Sequence, residues 1–460
     1  MNRQEPPQVS LGPRTASHDL PPSDELRSAM TRGWATDPRT PQPPLLEGDM
    51  SGARRARLSA RFPGERLVIP AGAAAVRSND CDHRFRPHSA YAWLTGLTGE
   101  EQAGHVLVLE PSGPAGHEAV LHVHPHPPRR EDGAGAFYRD RRHGEFWVGH
   151  RAGPAETEEL TGIRCVPLDA RGTGGPGRDA SHDPELATAL AELRLVKDAW
   201  EVEQLQQAVD HTTAGFEDVV RDLPAALAHP RGERRIEGVF ALRARAEGNG
   251  TGYETIAASG AHACVLHWTR NDGRLDPREL LLLDAGVETD SLYTADVTRT
   301  LPLSGRFSPV QRRVHELVLA AQEAGIAAVK PGAAFRDFHH AAMRVIADGL
   351  ADWGVLPHAR GDLHRRYTLC GSGHMLGLDV HDCARARATA YTDGVLEEGM
   401  VLTVEPGLYF QPDDTTLPAE LRGIGVRIED DLVVTADGAR LLSGALPRTA
   451  DAIEEWMGGR

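Results

Sequence analysis

Two aspartates interrupt an apolar stretch, residues 278–302, and this feature constrains the fold more than any other in the chain. Leu280–Leu283 is a continuous apolar run, typical of a strand covered on both faces, and Asp284 follows it directly. Asp296 lies within a second predicted strand after a turn, so the two carboxylates are expected to face each other. Because burying carboxylates without a partner is costly, the stretch predicts a bound cation.

The length and the charge of the chain limit its fold and its partners. With 460 residues, 40% of them hydrophobic and 25% charged, the chain is long enough for two domains and a sizeable core. The formal net charge is -16, whereas binding to nucleic acid or to an anionic membrane rests on basic patches. We therefore expect no nucleic-acid partner and no membrane partner.

Cysteine usage and the N-terminal sequence indicate the compartment. The five cysteines are widely spaced and form no CxxC pair, so neither a disulfide framework nor a thiolate zinc site is expected. The first residues contain no apolar signal segment, and no run approaches the roughly 18 apolar residues that a membrane span needs. These features predict a soluble, cytoplasmic protein.

Changes in composition divide the sequence into three parts. Residues 1–48, rich in proline and arginine, predict a mobile tail. Residues 49–186 contain an arginine-rich helix and strand-like runs such as HVLVLEP, AVLHVHP and EFWVG, which predict a small α/β domain. Residues 187–457 begin with helical periodicity and continue as helices alternating with mostly antiparallel strand pairs. We predict an α+β fold for this larger domain.

Polar residues stand in or beside apolar strands in four further segments of the second domain. They are His267 in CVLHWTRND, His374 and His381 in GSGHMLGLDVHD, Glu405 in GMVLTVEPGLY, and Arg427 and Glu429 in GIGVRIEDD. The glycines around the first of the paired histidines allow close backbone approach. In the last segment, alternation along a strand puts Arg427 and Glu429 on one face.

Four carboxylates and one imidazole from these segments form an oxygen-rich set of candidate metal ligands. They are Asp284, Asp296, His374, Glu405 and Glu429. Such a set suits Mn²⁺, Co²⁺ or Zn²⁺ better than a metal that prefers thiolates, and four negative charges balance two divalent ions. Two ions roughly 3.5 Å apart can bridge a water, lower its pKa and stabilise a developing oxyanion. We therefore expect a hydrolase with two divalent metal ions, Mn²⁺ first among the candidates.

The chain closely resembles the pita-bread metallopeptidases, the family that includes methionine aminopeptidase, prolidase, creatinase and aminopeptidase P. The resemblance rests on the order Asp, Asp, His, Glu, Glu and on the segments LLDAG, ADVTRT, GHMLGLDVHD, TVEPGLY and GVRIEDD, and it covers residues 51–455. It implies a pita-bread second domain. Two departures are Cys370, where relatives usually carry histidine, and a spacing of twelve positions between Asp284 and Asp296, one more than in several relatives.

The resemblance also implies a role for each metal ligand. Asp284 would bind one metal, and His374 and Glu405 would bind the other, with Glu405 also accepting and donating a proton. Asp296 and Glu429 would bridge both ions.

Further residues would line the substrate site by the same resemblance. His267 and His381 would hydrogen-bond the carbonyl groups around the scissile bond, with Arg427 and Tyr409 close by.

The first domain resembles the amino-terminal domain of aminopeptidase P in the segment RSNDCDHRFRPHSAYAWLTGL. This similarity makes Asp80 a candidate active-site residue in contact with Arg427. The segment GEFWVG resembles a region in which an aromatic residue reaches the site of a neighbouring subunit, and Trp147 is the candidate. The resemblance thus implies a homodimer or a homotetramer.

The function implied is hydrolysis of the first peptide bond in peptides that have proline second. Two alternatives remain open: a prolidase that cleaves only Xaa-Pro dipeptides, and a pita-bread module that binds peptides without catalysis. Individual residues also have structural interpretations. His267 and His381 could be core histidines, Arg427 could form an ordinary ion pair with Glu429, Asp80 could cap a turn, and Trp147 could pack in a core or interface.

Overall fold

The chain passes from one structural unit to another where the apolar periodicity of the sequence changes. A computed structural model describes residues 23–30, 32–33, 44–45, 48–79, 81–113, 116–124, 140–168, 173 and 175–459. The two units are Met1–Asp183 and Pro184–Arg460. The second begins with the helix Pro184–Leu193, close to the boundary expected at residue 187.

The first unit is built on one mixed five-stranded sheet. In spatial order its strands are Arg164–Pro167, Gly116–Val123, Val106–Ser112, Leu67–Pro70 and Arg178–Asp179. The three central strands pair antiparallel, and the two edge strands pair parallel to their neighbours. A separate hairpin joins Val76–Ser78 to Cys81–Asp82. Leu67 and Ile69 alternate with more exposed residues, so one face of their strand packs on the core.

Short helices accompany this sheet, and one of them corrects a prediction. The helices are Asp24–Met30, Gly48–Arg61, Ser89–Thr95, Glu145–Val148 and Pro154–Thr161, with a 3₁₀ turn at Glu100–Gln102. The prediction of a strand at EFWVG is wrong, because Glu145–Val148 is a single helical turn between Gly144 and Gly149. The helix Asp24–Met30 lies within the part predicted as a mobile tail.

The leucine run Leu280–Leu283 lies in the central strand of a three-stranded sheet in the second unit. Leu280–Ala285 pairs antiparallel with Val297–Pro302 on one side and with Ile256–Ser259 on the other. All six of its residues are buried, as expected for a strand covered on both faces. A small hairpin, Gly250–Thr251 with Val287–Glu288, continues from its end.

Asp296 lies just before the second strand, which starts at Val297, and not inside it as predicted. Asp284 pairs with Thr298 in the register of the two strands. Beyond this pair the backbones approach closely, since a Cβ at Gly286 would lie only 1.7 Å from the carbonyl oxygen of Ala295. Glycine is therefore required there, and the ladder ends before Asp296.

A second antiparallel sheet carries the later acidic segments. Asp430–Thr435 pairs with Val401–Val404 and with Gly438–Leu441. Gly407–Tyr409 pairs with Gly425–Arg427 in a two-stranded ladder. The backbone N–H of Glu429 donates to the carbonyl of Thr298 at 3.1 Å, which joins this region to the first sheet.

Helices cover these sheets and enclose the core. They are Pro184–Leu193, Ala199–Ala228, Gly232–Glu247, Pro309–Ala328, Asp337–Asp352 and Ala450–Gly458, with 3₁₀ turns at Gly260–Cys264 and Leu363–Arg366. Asp198 and Glu201 form a capping box at the start of the longest helix, at 3.0 Å for each hydrogen bond. The mixture of antiparallel sheets and covering helices confirms the α+β prediction.

The main core packs the helices against the leucine strand. Phe216, Phe240, Leu281, Val318 and Ile346 are fully buried members of one cluster. Burying a side chain of this size stabilises the fold by about 1.5–3 kcal/mol, so the strand that carries Asp284 is held firmly. Within the part of the chain that the structure describes, every helix is too short or too polar to cross a membrane.

Candidate metal centre

Asp284 and Asp296 come together around a tyrosine that the sequence analysis missed. The hydroxyl oxygen of Tyr253 lies 2.6 Å from a carboxylate oxygen of each aspartate. A phenol has one proton, so it can donate to only one of them at a time. Burial, followed by the charges of both aspartates, raises the pKa of Tyr253 well above its usual value. The two buried carboxylates therefore lie close together, as the sequence predicts.

His374 faces the same two strands from the glycine-rich segment. Its Nε2 lies 3.2 Å from Asp296 and 3.6 Å from Glu405, while its Nδ1 contacts the carbonyl of Met375 at 3.1 Å. Burial opposes the charged imidazole, but hydrogen bonding to Asp296 and the charge of Glu405 outweigh it and raise the pKa of His374 to about 9. Its Nε2 is thus turned toward the carboxylates.

Glu405 and Glu429 complete the acidic group. Glu405 follows the strand Val401–Val404, and burial raises its pKa to about 7. Glu429 accepts a hydrogen bond from the hydroxyl of Thr298 at 2.7 Å through one oxygen. Burial, with Asp296 nearby, raises its pKa well above the usual range. All five predicted ligands therefore lie in one group.

The group fits a divalent cation on the chemistry of its donors. Ligand atoms of Asp296, His374 and Glu429 all lie within 4.8 Å of one another. The second carboxylate oxygen of Glu429 is buried and finds no hydrogen-bond partner among the described residues. A buried carboxylate oxygen without a partner is strongly unfavourable. A cation bound at this point would supply the missing partner.

Asp431 is a second residue that the sequence analysis missed. It accepts a hydrogen bond from the backbone N–H of Asp296 at 3.0 Å, and its other carboxylate oxygen is buried without a partner among the described residues. Burial and the charge of Asp296 raise its pKa well above the usual value. Its position next to Asp430 in EDD was visible in the sequence, but nothing there showed which acid faces inward.

These residues open into a cavity, here called the metal cavity, with a volume of about 460 Å³. Besides the five predicted ligands and Tyr253, its wall includes His267, His381, Tyr409, Arg427 and Cys370. The rings of His374 and His381 meet edge to face with centroids 4.4 Å apart. The four predicted substrate-site residues of this unit are thus brought together with the acidic group.

Arg427 is the one cation among the predicted site residues other than histidine. It donates to the hydroxyl of Tyr409 at 2.9 Å, to the hydroxyl of Thr298 at 3.1 Å and to a carboxylate oxygen of Asp284. Arg427 forms its ion pair with Asp284. The structural alternative predicts an ion pair with Glu429 instead. Arg427 thereby offsets part of the negative charge of the cavity.

The two candidates from the first unit stay predictions. Asp80 lies outside the described residues, so its role stays a prediction. Trp147 is 43% exposed on its short helix, stacked at 4.7 Å from the guanidinium of Arg141 and edge to face with Phe146. The contact of Trp147 with the site of a neighbouring subunit also stays a prediction.

Comparison with known proteins agrees with this geometry. The profile of the metallopeptidase family M24 matches residues 203–436, and that of the aminopeptidase P N-terminal domain matches residues 52–170. The chain is 53% identical over 462 residues to Xaa-Pro aminopeptidase 1 of Streptomyces coelicolor, covering 95% of this chain and 92% of that protein.

Solved structures show the same similarity. Aminopeptidase PepP of Pseudomonas aeruginosa matches with a TM-score of 0.76 and 29% identity, over 91% of this chain and 99% of that one. Proline aminopeptidase P II from Yersinia pestis matches with a TM-score of 0.74 and 30% identity, over 90% and 100%. The pita-bread prediction is confirmed, and the chain belongs to metallopeptidase family M24, with an N-terminal domain of the aminopeptidase P type.

Proposed function

We propose that the protein is a dinuclear-metal aminopeptidase that removes the first residue from peptides with proline in second position. The observation that carries the proposal is the convergence of four carboxylates, His374 and two further histidines on one cavity. The similarity to proteins named Xaa-Pro aminopeptidase, over nearly the whole chain, supports the choice of substrate.

The metal ligands in this proposal are Asp284, Asp296, His374, Glu405 and Glu429. Hard oxygen donors with one imidazole favour Mn²⁺, with Co²⁺ and Zn²⁺ as alternatives. When bound, two such ions would supply Lewis-acid polarisation of the scissile carbonyl and an activated water. The unpartnered oxygen of Glu429 supports a bridging role for that residue.

Other residues of the cavity would bind the peptide and move protons. Glu405 would take a proton at its carboxylate and deliver it to the proline nitrogen as the bond breaks. His267 and His381 would donate to the carbonyl groups on either side of that bond, while Arg427 and Tyr409 would hold the substrate beside them. The lining of the metal cavity by all five residues supports these roles.

A dedicated enzyme for this bond makes chemical sense. An Xaa-Pro bond is a tertiary amide without an N–H, so a peptidase that tests for that hydrogen rejects it. The apolar side chains of Ile256, Leu266 and Val380 in the cavity wall support an apolar place for the proline ring. The names of these two relatives support an aminopeptidase and not the prolidase alternative.

We also propose that the enzyme acts in the cytoplasm as a homodimer or homotetramer. Trp147 would then lie near the site of a neighbouring subunit, and Asp80 would lie near Arg427. The exposure of Trp147 supports such a contact.

The test compares the tripeptides Ala-Pro-Ala and Ala-Ala-Ala, and the dipeptide Ala-Pro, with Mn²⁺, Co²⁺ and Zn²⁺ in turn. We expect Ala-Pro-Ala to be cleaved faster than the other two peptides. Glu405→Ala should lower the rate of this cleavage at least about a hundredfold. The exposed Glu398→Ala is the matched control for loss of a carboxylate.

Three results would contradict the proposal. Equal cleavage of Ala-Ala-Ala would remove the proline specificity, and cleavage of Ala-Pro alone would favour a prolidase. A protein that binds no metal and shows no activity with any of the three ions would favour a non-catalytic binding module.

A further inference from the structure

A second cavity, of about 450 Å³, adjoins the metal cavity in the same unit. We call it the cationic recess and define it by Arg336, His339, His340, Arg365 and Thr368. Cys370 lines both cavities, and the segment that follows it, Gly371–Gly373, forms part of the wall of the recess. The two spaces are therefore neighbours along one short stretch of chain.

The two cavities have opposite charge. The metal cavity is lined by five acidic residues, Glu254 among them, whereas the described lining of the cationic recess includes two arginines, two histidines and no carboxylate. Burial, and then the charges of His340, His364, Arg365 and Arg336, lower the pKa of His339. Although the chain has a net charge of -16, the described lining of the recess therefore carries positive charge.

Arg365 is the cation best placed to receive a ligand. Arg336 already pairs with Asp393 at 2.9 Å and donates to the carbonyl of Thr392 at 2.9 Å. Arg365 has no carboxylate within ion-pair distance among the described residues, and its side chain is exposed in the recess. Its guanidinium thus keeps donors that fit a carboxylate.

Hydrogen bonds tie the wall of the recess to the metal centre. The hydroxyl of Ser372 contacts Nδ1 of His339 at 3.0 Å, and the carbonyl of Ser372 accepts the backbone N–H of Glu405 at 2.9 Å. A Cβ at Gly373 would lie 2.1 Å from the carbonyl oxygen of Thr403, so the segment packs directly on the strand before Glu405. The recess is therefore held in a defined position beside the metal cavity.

An aminopeptidase accommodates a single residue on the amino side of the scissile bond. Every further residue of the substrate therefore extends on the carboxyl side of that bond. Each extended residue adds about 3.3–3.6 Å, and Cys370 lines both cavities, so we expect a substrate extended beyond proline to reach the recess. Substrate that continues past Cys370 meets the cations of the recess and the buried rings of Phe335 and Phe338.

We propose that the cationic recess binds a carboxylate of the substrate downstream of the proline. This carboxylate is either the free C-terminus of a short peptide or the side chain of an aspartate or glutamate, and it is held by Arg365 with the neighbouring histidines. The preferred substrates are then short or acidic peptides. This inference rests on the proposed aminopeptidase function and names the substrate class of the same site.

The test uses the Mn²⁺-loaded protein and four peptides: Ala-Pro-Ala-Glu and Ala-Pro-Ala-Gln, each with a free or an amidated C-terminus. The two sources of carboxylate are separated because one pair of peptides varies the side chain and the other varies the terminus. We expect at least one of the two carboxylates to raise kcat/KM roughly tenfold over that of the amidated Ala-Pro-Ala-Gln, which has neither. Arg365→Gln should abolish most of this ratio. Arg344→Gln, an exposed arginine on the helix Asp337–Asp352 that does not line the recess, should keep the ratio.

Equal kcat/KM for all four peptides would overturn the proposal, as would an equal loss of the ratio in both arginine variants. A calorimetric titration with Pro-Ala-Glu and Pro-Ala-Gln, both amidated, and with Pro-Ala-Gln of free C-terminus, needs no turnover. If no proline peptide is cleaved, the aminopeptidase function fails, and this titration still tests the recess. Equal affinities for the three ligands would then overturn it.

Discussion

The guanidinium of Arg427 donates to a carboxylate oxygen of Asp284 at the wall of the metal cavity. Both side chains are buried, at 5% and 10% exposure. Among the four predicted acidic ligands, Asp284 is the one paired with an arginine, Asp296 and Glu405 face His374, and Glu429 keeps a buried oxygen without a partner among the described residues. The negative charge of the cavity is only partly balanced by the protein.

Replacing Arg427 by glutamine should separate catalysis from metal binding. We expect kcat/KM for Ala-Pro-Ala to fall about a hundredfold, because a donor near the reacting carbonyl is lost. Metal affinity should be retained or increased, because less of the negative charge is offset. Peptide hydrolysis and Mn²⁺ titration measure the two effects, with exposed Arg440→Gln as the control. Unchanged kcat/KM would remove Arg427 from the site.

Tyr253→Phe should weaken metal binding about tenfold, since its hydroxyl contacts both of the aspartates that we propose as metal ligands. Calorimetric titration with Mn²⁺ measures the change. Tyr293→Phe, which removes a hydroxyl bonded to Glu201 at 2.7 Å, is the matched control and should leave metal affinity as it is. If both variants bind Mn²⁺ like the parent protein, the tyrosine has no part in forming the centre.

Asp382→Asn should destabilise the protein by about 3–5 kcal/mol, because buried Lys197 loses the carboxylate to which it is bonded and buried Arg194 keeps only its contact with Asp379. The carboxylate of Asp382 is bonded to Arg194 and, at 3.0 Å, to Lys197, and all three side chains are buried. Asp379, the second acid that contacts Arg194, is 44% exposed, so Asp379→Asn should cost under about 1 kcal/mol. Denaturant unfolding compares the variants, and equal losses would contradict this explanation.

His315 should make the fold sensitive to acid. It is fully buried, neither ring nitrogen has a partner among the described residues, and burial lowers its pKa to about 3. Below its unfolded pKa of about 6.5 the unfolded chain binds a proton that the folded one does not, so stability falls by about 2 kcal/mol between pH 7 and pH 5.

The variant His315→Leu should remove this part of the pH dependence and raise stability at pH 5. Unfolding measured at pH 7 and pH 5 gives both quantities. His358→Leu, in an exposed position, controls for the loss of an imidazole and should leave the acid sensitivity intact. If the two leucine variants lose stability equally between these pH values, His315 does not carry the effect.

Periodicity and residue type predicted much of the second unit. The run Leu280–Leu283 is typical of a doubly covered strand and forms one, and the helical periodicity at the start of this unit matches Pro184–Leu193 and Ala199–Ala228. Polar residues at the ends of apolar strands pointed to the metal centre because each is expensive to bury alone. EFWV misled because four residues are too few to show either period.

The remaining features depend on contacts that no local pattern encodes. Tyr253 reaches the two aspartates across strands, and its sequence neighbours give no sign of this. Which acid of EDD faces Asp296 depends on how two sheets pack, and so does the choice of Asp284 as the partner of Arg427. The cationic recess joins one helix to a distant turn, so its charge could not be recognised from spacing.

The chain contributes to its metal centre from strands that are far apart in sequence, from Asp284 to Glu429. No fragment that lacks either end of this span can carry the complete ligand set. A truncated or cleaved product that keeps a folded helix or sheet still loses a carboxylate of the proposed ligand set. If the five proposed residues are the ligands, binding of both metal ions requires an intact catalytic domain, and we expect a truncated chain to be inactive.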